Sequence, residues 1–271
     1  MIWTAHTVES NGITLHYLRG GKSDAPPIIM LHGITDNGLC WDRVARVLAE
    51  DYDVILPDAR GHGKSDKPTS GYSYADLAAD VMGLIDALDI APPVVFGHSM
   101  GGGTATVFAA TYPDHVRALV LEDPAWLDDP QPDDEGREAW LNDWQAWLVK
   151  SKTIPLDELI AQQAAEAPDW DESELGPWAE SKHAFSLDAF QLTHQPAVNW
   201  REVVPTIQCP FLLVTADVER GGIVTPAVAA AVESLPMAQI AHITGAGHSI
   251  HREAYDTYMV AITAFFASLP E

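Results

Sequence analysis

Val94-Val95-Phe96-Gly97-His98-Ser99-Met100-Gly101-Gly102-Gly103 is the stretch whose reading decides the fold. Val94 to Phe96, introduced by Pro92 and Pro93, has the length and apolar character of a fully buried strand. Thr104 to Thr111 is rich in alanine and reads as a buried helix, which must stop before Pro113. Ser99 stands between them, with a glycine two positions before it and another two after. This is the G-x-S-x-G elbow, a strand-to-helix turn tight enough to strain the serine backbone. Side chains at the flanking positions would keep the turn from closing. The turn lifts the Ser99 hydroxyl above the sheet edge, at the positive end of the following helix. Glycine-rich loops between strand and helix also cradle phosphates, but G-x-G-x-x-G does not fit here and no P-loop lysine follows. The stretch reads as a nucleophilic serine.

Outward from the elbow, strands and helices alternate. Thr4 to Leu18 has a two-residue period around the turn dipeptide Asn11-Gly12, which predicts an antiparallel hairpin. Short apolar runs predict strands at Pro27–Leu31, Val54–Leu56, Ala118–Leu121, Phe211–Thr215 and Ala238–Ile243. Helical spacing is visible over Trp41–Glu50 and Tyr74–Leu88, the latter with Leu77, Val81, Leu84, Ile85 and Leu88 on one stripe. Two later helices are predicted over Pro226–Leu235 and from about Glu253 to Leu269. The pattern predicts an α/β fold, a mostly parallel eight-stranded sheet with helices on both faces.

One region breaks the alternation. From Trp126 to about Arg201 there is no strand-like run, and seven of the nine tryptophans fall there. Trp140, Trp144 and Trp147 share a helix face with Leu141 and Leu148, and Leu156 to Ala167 is a second helix. A third begins at Leu187.

Composition bounds the function. The chain has 271 residues, 47% of them hydrophobic, enough to bury a substantial core. Its formal charge of −24 repels nucleic acid and anionic membranes, so neither is an expected partner. Cys40 and Cys209 read as buried hydrophobes rather than metal ligands or a disulfide framework. No basic-plus-apolar leader opens the chain and no run is long enough to span a membrane, so a cytoplasmic protein is expected, as a monomer or small homo-oligomer.

The chain resembles the α/β-hydrolase fold superfamily, nearly end to end. The resemblance rests on His32-Gly33 after a strand, Asp58-Ala59-Arg60-Gly61-His62-Gly63-Lys64-Ser65, the Gly97–Gly101 elbow and Gly247-His248 near the end. It implies that Ser99 is the nucleophile and that His248, on the loop after the last strand, is its base. It also implies an oxyanion hole made by the Ile34 and Met100 N–H groups. Residues 126–201 then correspond to the helical cap that the family inserts after the sixth strand, over a core of residues 1–125 and 202–271. Aromatic residues of a small cap tend to line the cleft beneath it, so Trp126, Trp144 and Trp147 are expected to bind substrate. His32 and the Asp58–Ser65 segment are expected to be structural, and His251 to be a satisfied surface residue.

The third member of a triad must be a carboxylate that orients His248. The family normally carries Gly-x-x-Asp after the strand that is Phe211–Thr215 here, but this chain reads Thr215-Ala216-Asp217-Val218-Glu219-Arg220-Gly221-Gly222. Glu219 holds the place by count and Asp217 is two residues early. A minority of the family places the acid after the preceding strand, where Asp123 sits, and the altered loop tilts the choice to Asp123 over Asp217 or Glu219. Its neighbour Glu122 should face the opposite side of the sheet. The reading is a cofactor-independent serine hydrolase, without metal, acting on a small or medium apolar carboxylic ester. Lactonase and carbon–carbon bond hydrolase use the same parts. A non-enzymatic small-molecule receptor of this fold is the alternative from another class. Serine rather than aspartate at position 99 argues against the aspartyl-ester enzymes of the family.

Overall fold

The computed structural model describes residues 3–126 and 134–270; Met1, Ile2, residues 127–133 and Glu271, which the expected core and cap boundaries include, lie outside them. Eight strands form one sheet: β1 Thr4–Ser10, β2 Ile13–Gly21, β3 Pro27–Leu31, β4 Asp53–Pro57, β5 Val94–His98, β6 Ala118–Glu122, β7 Phe211–Ala216 and β8 Ala238–Ile243. Their order is β1-β2-β4-β3-β5-β6-β7-β8. β2 runs antiparallel to β1 and β4, and every other pair is parallel. The hairpin turns at Asn11 and Gly12 with φ of 48° and 78°, the left-handed pair that matches strand twist.

The helices are α1 Asp42–Leu48, α2 Tyr74–Leu88, α3 Met100–Thr111, α4 Asp134–Ser151, α5 Leu156–Glu166, α6 Glu172–Ala184, α7 Trp200–Val203, α8 Pro226–Glu233, α9 Ile250–Glu253 and α10 Tyr255–Ser268. The period-two alternation of the strands sorts them onto the two faces. Ile29, Leu31, Val95, Leu119, Leu121 and Leu213 pack with α2, α3 and α8. Ile28, Met30, Val94, Phe96, Val120 and Val214 face the other way, onto α1 and α10. A sheet buried on both faces needs apolar residues at every position, which is why its central strands read as continuous apolar runs.

Among the described residues the chain between β6 and β7 is helical, as expected, and includes a helix, α6, that the patterns above do not mark. Gly176 and Pro177 both lie inside α6. Pro177 sits in the second turn and forfeits only its own N–H bond, while the Asp171 side chain accepts from Ser173 N–H and caps the helix. The expected closing helix is α10, and the short α9 precedes it, separated by Ala254 at φ −140°.

The Asp58–Ser65 segment is a scaffold, as expected. The Asp58 carboxylate accepts from Gly38 N–H and Lys64 N–H, each at 2.8 Å, and contacts His16 Nδ1 at 2.8 Å. Arg60 forks onto the buried Asp80, with Nε to Oδ2 at 2.6 Å and Nη2 to Oδ1 at 2.5 Å. Removing one partner of such a pair leaves an uncompensated buried charge. Arg60→Met should therefore lose about 3–5 kcal/mol of unfolding free energy, read by urea titration. A loss well under 1 kcal/mol would show that Asp80 finds other partners.

Candidate active site

Ser99 has φ 51° and ψ −112°, a strained backbone for a non-glycine residue. Its N–H donates to Glu122 O at 3.0 Å, and its carbonyl accepts from Gly103 N–H at 2.9 Å and Ala125 N–H at 3.0 Å. The serine is thereby tied to the end of β6. A Cβ at Gly97 would collide with the Gly101 carbonyl, and one at Gly101 with the Leu31 carbonyl.

β6 ends in two adjacent carboxylates that diverge. Glu122 continues the alternation of β6 toward α9, where its carboxylate accepts from His251 N–H at 2.9 Å and meets His251 Nδ1 at 2.8 Å. Asp123 turns away with φ 37° and is completely buried. Its carboxylate accepts from Ile223 N–H and Val224 N–H, and from His248 Nδ1 at 2.6 Å. The loop that departs from the family pattern thus supplies amide donors to Asp123 instead of an acid. With Nδ1 donating, the other nitrogen of a neutral His248 is an acceptor. Asp217 turns elsewhere, accepting from Gly245 N–H at 2.7 Å and facing His242 Nε2 at 3.1 Å. Glu219 is exposed. Of the three candidate acids, Asp123 is the one that meets His248.

His251 corrects an expectation. It is 1% exposed rather than a surface residue, stacked on Trp41 with ring centroids 4.4 Å apart. Burial and the His251 contacts act in opposite senses on Glu122; the contacts prevail and hold its pKa down at about 2. A third imidazole, His98, has its pKa pushed down to about 3 by burial. Being neutral, it donates from Nε2 to the His248 carbonyl at 3.0 Å.

The oxyanion candidates Ile34 and Met100 line one cavity with Ser99. Gly33 to Asp36 form a turn closed by Asp36 N–H to Gly33 O at 3.1 Å, with Ile34 within it. Met100 opens α3, where the first N–H groups have no intrahelical acceptor. His32 is structural, as expected: Nδ1 donates to Gly33 O at 2.8 Å and Nε2 accepts from Ala59 N–H at 3.0 Å.

Ile34, Ser99, Met100 and His248 line one cavity of about 540 Å³. Trp144 and Trp147 line it as well, joined by Trp140, Trp170 and Trp178. Trp126 does not. It is 1% exposed, donates from its indole to Thr106 Oγ1 at 3.0 Å and stacks on Trp200. Its position directly after β6 puts it in the core instead of the cleft. Sequence reasoning also passed over the charges on the wall: Arg137, Lys182 and Arg252, against one carboxylate, Asp36, among the described residues. One spacing carried a signal: Trp178 and Lys182 are four residues apart, one turn of α6. Asp36 accepts from Lys182 Nζ at 2.8 Å and Arg252 Nη2 at 3.0 Å. Burial opposes its ionisation, but Arg252 and Lys182 together hold its pKa well below the usual carboxylate range. No group of three or more His, Cys, Asp or Glu among the described residues is placed to hold a metal ion.

A sheet of this order, with a strained serine, a histidine and a buried aspartate converging at its edge, defines a hydrolase scaffold. Residues 26–255 match the model of the alpha/beta hydrolase fold family, and the chain belongs to that family. N-formylmaleamate deformylase of Pseudomonas putida is 32% identical over 269 residues, covering 95% of this chain and 94% of that protein. Uncharacterized mycobacterial proteins are 45% identical over 96 residues, and the match spans only 28% of their length. Among solved structures, E-2-(acetamidomethylene)succinate hydrolase superposes with a TM-score of 0.80 at 26% identity, covering 98% of this chain and all of that one. An N-acyl homoserine lactone degrading enzyme gives 0.77 at 26% identity, over 96% of this chain and 100% of that one. No helix among the described residues of this protein is long and apolar enough to cross a membrane.

Two outcomes follow from this geometry. A carboxylate whose folded pKa is depressed stabilises the fold above its unfolded value and loses that contribution as pH falls through the folded one. Wild type should therefore exceed Glu122→Gln in stability most at neutral pH, with the gap shrinking as pH falls from about 4.5 toward about 2. A gap independent of pH would mean that Glu122 contributes by packing alone. Trp126→Ala should cost about 3–5 kcal/mol by urea titration while leaving substrate selectivity unaltered; a selectivity change would return it to the cleft.

Proposed function

We propose that this protein hydrolyses a small or medium apolar carboxylic ester through an acyl-enzyme. The observation that carries the reading is the 2.6 Å contact of His248 Nδ1 with Asp123, beside a serine strained to φ 51°, on a tryptophan-lined cavity. His248 takes the Ser99 proton as the hydroxyl attacks the ester carbonyl, and the Ile34 and Met100 N–H groups hold the oxyanion. The proton passes to the leaving alcohol, and a water activated by the same imidazole releases the acid. Asp123 keeps the imidazole in the productive tautomer. Residues 126–201 serve as the cap, with Trp144 and Trp147 shaping the acyl site. The proposal needs no cofactor and no nucleic-acid or membrane partner, and places the protein in the cytoplasm as a monomer or small homo-oligomer.

A second reading is favoured by charge. The chain carries −24, yet Arg137, Lys182 and Arg252 face the cavity with one carboxylate among its described lining. Such a wall suits a substrate that itself bears a carboxylate. Relatives named as an N-formylmaleamate deformylase and an acetamidomethylene-succinate hydrolase support keeping this reading beside the first.

Ser99→Ala should abolish turnover of p-nitrophenyl esters and labelling by a phosphonate probe. Asp123→Asn should cost on the order of 10⁴-fold in kcat, with Asp217→Asn and Glu219→Gln far milder. Trp144→Ala should shift preference along an acyl chain-length series. An active Ser99→Ala variant refutes the mechanism. A substrate panel with and without a terminal carboxylate separates the two readings, since the charged member gains in kcat/KM only under the second.

A further inference from the structure

The Ile34 N–H, the oxyanion donor of the reading above, shares its peptide unit with the Gly33 carbonyl. That carbonyl accepts from His32 Nδ1 at 2.8 Å and from Asp36 N–H at 3.1 Å. Asp36 N–H in turn shares its peptide unit with the Thr35 carbonyl, which accepts from Lys182 Nζ at 3.1 Å. Lys182 therefore holds one end of a continuous line. It runs from its ammonium through the Thr35–Asp36 peptide to the Gly33–Ile34 peptide, and ends at the donor beside Ser99. Peptide groups are planar, so fixing the oxygen at one end fixes the direction of the N–H at the other.

The turn needs holding. Thr35 sits at φ 69°, where a β-branched residue is an outlier and glycine or asparagine is usual. Both of its peptide neighbours are restrained, since Thr35 N–H donates to His62 Nε2 at 3.2 Å while its carbonyl is bound by Lys182. Burial pushes the His62 pKa down to about 3, which keeps that nitrogen an acceptor. The core supplies the His62 restraint, but the Lys182 restraint comes from α6, between β6 and β7. Lys182 is itself fixed by Asp36 at 2.8 Å and Ser181 Oγ at 3.3 Å, and Trp178 lies 5.0 Å from its nitrogen. Asp36 is shared with Arg252, four residues beyond His248. One buried carboxylate thus joins the oxyanion turn, the catalytic-histidine segment and the insert.

We propose that Lys182 is a positioning residue that braces the oxyanion turn from the insert, so that the Ile34 N–H is aimed at the reacting carbonyl only while α6 is docked. The proposal rests on Ser99 acting as the nucleophile with the Ile34 N–H in its oxyanion hole. A brace of this kind acts on the transition state, where the oxyanion exists, and little on ground-state binding.

Lys182→Met should lower kcat for an uncharged p-nitrophenyl ester on the order of 10²-fold, with KM little changed. Affinity for a trifluoromethyl ketone, whose adduct places an oxyanion in the hole, should fall by the same factor as kcat/KM. Adding Thr35→Gly to Lys182→Met should return part of the lost kcat, because glycine rests at that φ without a brace. A merely structural lysine would not be rescued from position 35. Should Lys182→Met fail to fold, Asp36→Asn with Lys182→Met removes both charges together and is read with and without Thr35→Gly. Unchanged kcat, a change confined to KM or thermal stability, or no recovery with glycine overturns the brace. Wild-type protein that neither cleaves esters nor is labelled at Ser99 refutes the nucleophile reading, and the brace falls with it. An active, labelled wild type leaves the Lys182 variants to decide the brace alone.

Discussion

The structure depends on the strained turn at Ser99. A serine at φ 51° stays there only because its neighbours give it nowhere else to go. Its amide is bound to the Glu122 carbonyl at the end of β6, its carbonyl receives the amides of Gly103 and Ala125, and the glycines at 97 and 101 let β3 and α3 close around it. The strain therefore requires β5 to lie between β3 and β6 in a parallel sheet covered on both faces. Strand order and catalytic posture are one constraint.

The same strand end divides two acids between two imidazoles. Glu122 follows the pleat to His251, whereas Asp123 leaves the strand with a positive φ and reaches His248. Three backbone N–H groups and two imidazoles converge on these two carboxylates from segments at least a hundred residues away. A buried acid with its acceptors occupied in this way has little freedom to reorient, and the ring it faces inherits that rigidity.

The insert reconciles a strongly acidic chain with a cationic cleft. Most of the negative charge is solvated, while Lys182 and Arg252 are buried around Asp36. A lone cation in such a place would lose its hydration uncompensated, and the shared carboxylate offsets that loss. Trp170 and Trp178 lie against Arg252 and Lys182, adding ring faces that suit a partly desolvated cation. Aromatic density in the insert serves the charges as well as the cavity.

The sequence by itself determined the class. Apolar strand runs, the glycine pair around Ser99 and the Gly247-His248 loop are local signals, because burial on both faces and a tight turn constrain the residues that make them. The α/β sheet was legible there, as were Ser99, His248 and the lean toward Asp123. Tertiary structure decided the rest. Whether Asp123, Asp217 or Glu219 meets the imidazole depends on how loops over a hundred residues apart come together, which no local pattern encodes. Trp126 looked like its cap neighbours in sequence, yet a core position after β6 claimed it. The sequence patterns did not mark α6 and so did not place Lys182; packing and an Asp171 cap hold that helix despite Gly176 and Pro177. Periodicity tells which face of a helix is apolar; only the packed chain decides which carbonyl its lysine reaches.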